Sequence, residues 1–270
     1  MKDLRRNIAA WAVLLAGVLG AGAMPAWADG PTPAPAPAFA PATDVPSGPQ
    51  GKTWAEIAKL PDWQGIWELD WQHGGLGSAR PAPPKLTPEA QAKLDAYKKA
   101  QGSGENLQPD QANCLPPGMP QGMTQPYPME FLYRPGMIVI ALEAYMQFRH
   151  IYTDGRPLPK DPDALFYGYS VGHWEGDTLV AQSVGFVPFS MISPGVGHSD
   201  QMKIVERFRR TGPDTILVEQ TITDPKVLAA PWTVVHPYKL VKDDLREYIC
   251  EQNNHDSADD AGRPGFKVTK

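Results

Sequence analysis

From Met129 onward the chain is a succession of short runs rich in β-branched and aromatic residues, each ended by turn chemistry. No other feature limits the fold as much. The runs span 130–134, 137–142, 145–153, 167–175, 178–186, 202–210, 215–223, 232–241 and 245–251, with a further one at 65–69. Between them stand Pro135-Gly136, Asp154-Gly155, Gly176-Asp177, Gly212-Pro213-Asp214 and Lys242-Asp243-Asp244. Such residues tolerate a left-handed backbone or pre-set a turn. Strands joined by tight turns make an antiparallel meander. About ten of them are expected to close into a β-barrel, which leaves no exposed edge. A β-sandwich is the alternative.

One accessory helix is predicted near 87–100. Thr87 suits the N-cap, Pro88 the first helical position, and Glu89 complements the helix dipole. Ala90, Leu94 and Tyr97 follow at helical spacing, and the helix is expected to end before Gly102. The segment from Cys114 to Pro128 holds too much Pro and Gly for either regular structure and reads as a loop.

The N-terminus has the layout of a secretory signal over residues 1–28. Lys2, Arg5 and Arg6 precede an apolar run from Ile8 to Leu19, and Ala26-Trp27-Ala28 fits a cleavage site before Asp29. That run is shorter than the roughly 20 residues a membrane span needs. Arg5-Arg6 raises a twin-arginine route, but its flanks fit poorly and ordinary export is expected. No other segment is apolar enough to span a bilayer. Residues 29–52 are dominated by Pro and Ala and are expected to form a disordered tether. The barrel domain is expected over 53–254, with a disordered tail at 255–270. Losing residues 1–28 takes the formal charge from −5 to −7, because Lys2, Arg5 and Arg6 outweigh Asp3. That balance argues against nucleic acid or an anionic membrane surface as a partner. The expected location is therefore the periplasm or the exterior. Cys114 and Cys250 read first as a disulfide in such a compartment, with two buried thiols or one reactive thiol as the other readings.

Alternation gives each strand a face. Met202, Ile204, Glu206 and Phe208 share one side of their run, which sets Glu206 among apolar neighbours. A carboxylate there must be paired, hydrogen-bonded or raised in pKa. Trp232, Val234, His236, Tyr238 and Leu240 share another face, and Met146, Phe148, His150 and Tyr152 a third. Inner faces rich in aromatics with a few ionisable groups fit a ligand-binding barrel. They also fit a packed core with satisfied polar residues. His198-Ser199-Asp200 lies in the loop after Phe186, where His198 is a candidate acid or base and Asp200 a candidate to orient its ring. His173, Glu175 and Asp177 alternate in a way that invites a metal, but Gly176-Asp177 is better read as a hairpin turn, and no metal is expected. The chain has no G-x-S-x-G elbow, H-E-x-x-H helix, phosphate-cradling loop or dinucleotide fingerprint, and no cofactor is expected.

The motifs Asp62-Trp63-Gln64-Gly65-Ile66-Trp67, Cys114-Leu115-Pro116-Pro117-Gly118-Met119-Pro120, Ile151-Tyr152-Thr153-Asp154-Gly155-Arg156 and Gly172-His173-Trp174-Glu175-Gly176-Asp177-Thr178-Leu179-Val180 occur together. With Glu206-Arg207-Phe208 and Glu247-Tyr248-Ile249-Cys250-Glu251, the chain resembles a large family of uncharacterised exported bacterial proteins over most of Asp62 to Asn254. The resemblance implies a bacterial envelope setting and brings no catalytic residues with it. Gly65-x-Trp67 on a first strand also resembles the lipocalin Gly-x-Trp signature.

The expected function is uptake of a small, largely apolar molecule, aromatic or terpenoid-like. Glu206, His198, His150 and His236 are the candidate acid/base residues of a metal-independent lyase, isomerase or hydrolase, and Tyr152, Phe208, Trp232 and Tyr238 are the candidate ligand contacts. A purely binding barrel and an envelope protein-interaction module are the alternatives.

Overall fold

Nine strands close into a barrel in a computed structural model that describes residues 49–71, 82–103 and 114–250. The expected signal, most of the tether and the tail lie outside the described residues. In chain order the elements are α1 (Trp54–Ile57), β1 (Ile66–Leu69), α2 (Pro88–Gly102), β2 (Met129–Arg134), β3 (Met137–Leu142), β4 (Gln147–Tyr152) and β5 (Tyr169–Glu175). They continue with β6 (Thr178–Val184), β7 (Met191–Ser193), β8 (Val196–Gly197), β9 (Lys203–Gly212), β10 (Thr215–Thr223) and β11 (Trp232–Val241). Around the barrel the order is β1, β11, β10, β9, β6, β5, β4, β3, β2, and β7 and β8 form a separate small hairpin. Among the described residues no helix is long and apolar enough to cross a membrane.

The expected turns do the joining. Gly136 and Gly176 sit at φ 75° and 63° in the β2–β3 and β5–β6 connections, where a side chain would be strained. Helix α2 starts as its sequence dictates, with the Thr87 hydroxyl accepting from the Ala90 N–H at 3.3 Å. It runs to Gly102 instead of stopping before it.

Three features depart from a simple meander. β4 and β5 are parallel, so residues 153–168 carry the chain back to the end from which β4 started. That pairing covers only Ile151 with Ser170 and Tyr152 with Val171, and the two strands otherwise stand apart. Where β5 outruns β4, the Gln50 side chain takes over the pairing: its Oε1 accepts from the Trp174 N–H at 2.8 Å and its Nε2 donates to the Trp174 carbonyl at 3.1 Å. The strand expected at 245–251 is also absent over its described part. β1 already closes the barrel between β11 and β2, so that segment has no edge to join. It is fastened by contacts instead. The Arg246 N–H donates to the Glu143 carboxylate at 2.7 Å, Tyr248 packs between Tyr127 and Tyr145, and Cys250 is bonded to Cys114.

Large rings fill one end of the barrel. Trp63, arriving just before β1, lies 5.2 Å from Phe131 and 5.0 Å from Trp174 between ring centroids, and Phe131 meets Phe208 edge-on at 6.1 Å. All four are buried. The other end is covered by residues 119–125 and by the β7–β8 hairpin.

Candidate functional site

Glu206 projects inward from the middle of β9 and is completely buried. Gly172 and Ala181 occupy the neighbouring inner positions on β5 and β6, and their small size leaves room for a charged cluster. Both Glu206 oxygens accept from Arg149: Nη1 reaches Oε1 at 3.1 Å and Nη2 bonds Oε2. Arg149 Nη2 also donates to the Ser183 hydroxyl at 3.0 Å, and the Ser170 and Ser183 hydroxyls bond each other at 2.7 Å. Gln220, paired with Glu206 across β9 and β10, donates its Nε2 to Oε1 at 3.2 Å. The requirement set by the sequence is therefore met by pairing and hydrogen bonding together.

Arg149 is the residue that sequence reasoning missed, and it corrects the face assigned to β4. Arg149 and Ile151 are buried, whereas Phe148 and His150 stand exposed on the outer surface. The aromatic count on the Phe148 face is misleading because a buried carboxylate outweighs it: an uncompensated charge costs more than leaving a ring half in water. The demand of Glu206 for a cation was the signal, and Arg149 shares its alternation with Ile151. Ser170, Ser183 and Gln220 were missed for a simpler reason, since each reads as an ordinary polar residue in a strand.

Gln220 leads from this cluster into a cavity of about 300 Å³ at the covered end of the barrel. Leu69, Trp232 and Val234 form its barrel wall, while Pro120, Thr124 and Ile192 come from the covering segments. His236 faces the same cavity. Burial holds its pKa below the ordinary histidine value, with the Glu206 charge pulling the other way. The ring is thus neutral at pH 7 and has no hydrogen-bond partner among the described residues. Trp232 is fixed by its indole N–H, which donates to the Ala82 carbonyl at 2.8 Å.

The remaining candidates fall elsewhere. Phe208 belongs to the filled end of the barrel. Tyr238 is buried and donates its hydroxyl to the Met123 carbonyl at 2.6 Å, which ties the covering segment to the barrel. Burial raises its pKa, so it keeps that proton. His150 and Tyr152 lie on the outer face, where Tyr152 stacks on Tyr169 at 5.3 Å and the Arg156 guanidinium sits 3.9 Å over the Tyr152 ring. His198 stands in the loop with Nε2 2.9 Å from the Ser190 hydroxyl and 2.8 Å from the Val187 carbonyl, and with Nδ1 2.8 Å from the Ser199 carbonyl. These contacts hold the loop together. Asp200 does not orient the His198 ring. It pairs with Lys226 at 2.7 Å, and buried Asp224 organises the loop by accepting from the Ser199 N–H and hydroxyl at 2.6 and 2.7 Å. His173 and Glu175 meet at 3.1 Å on the outer surface, where Glu175 also pairs with Arg207.

Cys114 and Cys250 form a disulfide with Cα atoms 5.6 Å apart. Of the readings open for this pair, the bridge is the one realised.

Compared with protein-family models and with curated proteins, the chain matches none.

Proposed function

We propose that this barrel takes up a small, largely apolar molecule, aromatic or terpenoid-like, in the cavity at its covered end. The observation that carries the reading is the join between that cavity and the buried pair: an apolar chamber whose inner polar groups are Gln220, anchored by Glu206, and a neutral His236. Small-molecule sites occupy roughly 300–1,000 Å³, so a chamber at the low end of that range suits a monocyclic or bicyclic ligand. A carboxylate only accepts hydrogen bonds, so the Gln220 amide must turn its nitrogen to Glu206. Its oxygen is then the acceptor for a ligand hydroxyl. The disulfide and the N-terminal pattern support an exported, envelope-located protein of the bacterial family that the motifs resemble.

The same chamber supports a catalytic version, and His236 is the group that favours it. A neutral imidazole with no partner among the described residues, in an apolar pocket, is fit to accept a proton from a bound ligand and return it at another carbon. Glu206 is less fit for that task, because Arg149 and Gln220 occupy its oxygens. Titration with a panel of monocyclic terpenoids and phenols, followed by Trp232 fluorescence and product analysis, tests both readings. Saturable binding is expected, and Ser193→Trp, which sets a large ring at a β7 position lining the chamber, should block it. Product formation lost in His236→Gln with binding retained would identify His236 as the acid/base group. A panel that leaves Trp232 fluorescence unchanged would sink the proposal.

A further inference from the structure

The barrel wall is open where β4 and β5 part. Below the Ile151–Ser170 and Tyr152–Val171 pairs the two strands separate around a cavity of about 220 Å³, which shares no lining residue with the chamber at the covered end, the mouth of the barrel. Its rim is apolar and exposed at Phe148 and Leu165, and Tyr152 and Tyr169 lie beside it. Its floor is polar. Arg149 and Tyr167 both line it and both are at least nine-tenths buried, and neither the Arg149 Nε–H nor the Tyr167 hydroxyl has a hydrogen-bond partner among the described residues. Arg149 spends its other two nitrogens on Glu206, Ser170 and Ser183, which leaves Nε as the orphan. Tyr167 is held in place by its fit against Gly122, where a Cβ would come within 2.6 Å of the ring. The indole nitrogens of Trp63 and Trp174 are orphans too, but they lie among packed rings and line neither cavity.

We infer that this wall gap is a second ligand site, which takes one planar, mostly apolar ring carrying a neutral oxygen acceptor such as a ketone or aldehyde. The ring fits between the aromatic and aliphatic sides of the gap, and a small shift of the two side chains brings the Arg149 Nε–H and the Tyr167 hydroxyl, both buried beneath its floor, to donate to the oxygen. A neutral acceptor is favoured over a carboxylate because Glu206 already neutralises Arg149. A second buried anion in the same cluster would meet Glu206 without a counter-charge.

The test uses the full chain and follows the Arg149 Nε–H resonance during titration with acetophenone, ethylbenzene or benzoate. Acetophenone is expected to move that resonance saturably. Ethylbenzene, which has the shape without the acceptor, and benzoate, which adds a charge, are expected to do so about tenfold more weakly or less. Tyr167→Phe keeps the ring and should weaken acetophenone binding roughly three- to tenfold, the scale of one lost hydrogen bond. Ser193→Trp, which fills the mouth chamber, should leave the response intact. Loss of the response in Ser193→Trp would mean that the signal travels from the mouth through Gln220 and Glu206, and would overturn the inference. So would equal responses to acetophenone and ethylbenzene, or a resonance that no probe moves.

Discussion

Arg149 and Glu206 meet inside the barrel from strands that are not neighbours: β5 and β6 stand between β4 and β9. Their contact therefore ties together four consecutive strands, and Glu206 in turn anchors the Gln220 side chain that lines the mouth chamber. Taking both charges out of water is costly, and a fully formed pair with hydroxyl and amide partners roughly recovers that cost without adding much stability.

Removing one partner should be far worse than removing both. Glu206→Leu strands the Arg149 charge and is expected to cost about 3–5 kcal/mol of unfolding free energy. Arg149→Met combined with Glu206→Leu should recover most of that, because Ser170 and Ser183 still satisfy each other. Urea unfolding of the single and double variants checks this. A double variant as unstable as the single one would show that the pair does more than balance its own desolvation. For the same reason, alanine at Glu206 is a poor probe of chemistry, since it disturbs the fold before it tests any mechanism.

The barrel was legible because alternation and turn residues agree over most strands: β3, β10 and β11 fall where the sequence places them. Glu206 was legible as a buried carboxylate for the same reason. The orientation of β4 was not, because a long-range partner decided it, and neither Phe148 nor Arg149 announces that partner locally. Nor could the parallel β4–β5 contact be read, since residues 153–168 carry turn signals that fit a hairpin as well as a crossover. The 245–251 run has strand composition, yet barrel closure elsewhere leaves it no partner.

The histidine in the chamber gives a signed pH effect. Burial depresses the folded pKa of His236 below its ordinary 6.5, so the unfolded chain binds the proton first as the pH falls. The contribution to stability is full above about pH 6.5 and declines below it until the folded-state value is reached. Chemical unfolding of the native protein and of His236→Gln from about pH 7.5 to about pH 5 should show the native protein losing more stability over that interval. Parallel curves would place His236 in water instead of in the chamber.

The disulfide fastens a segment that the sheet does not hold. Its closed loop spans 136 residues, for which chain entropy sets an upper contribution of roughly 4–5 kcal/mol. Cys114→Ser with Cys250→Ser should lower stability by less than that bound and should expose the segment around Arg246 to trypsin while the barrel stays closed. Mass analysis of a timed digest reads this directly. Unchanged resistance at Arg246 would mean that Tyr248 and Glu143 suffice to hold the segment.

Tyr238 links the barrel to the cover of the chamber, and its loss should be felt at the site it does not line. Tyr238→Phe keeps the buried ring and removes the hydroxyl that bonds the Met123 carbonyl. The orphaned carbonyl and lost bond are expected to cost about 1–2 kcal/mol of stability. Since Met123 sits between Gln121 and Thr124, which line the chamber, the loosened cover should also weaken ligand binding and raise amide exchange across 121–125. Hydrogen exchange with and without ligand separates the two effects. An exchange rate at 121–125 that matches the native protein would mean that the cover is held by its apolar contacts, Met119 and Met123 foremost, and not by this bond.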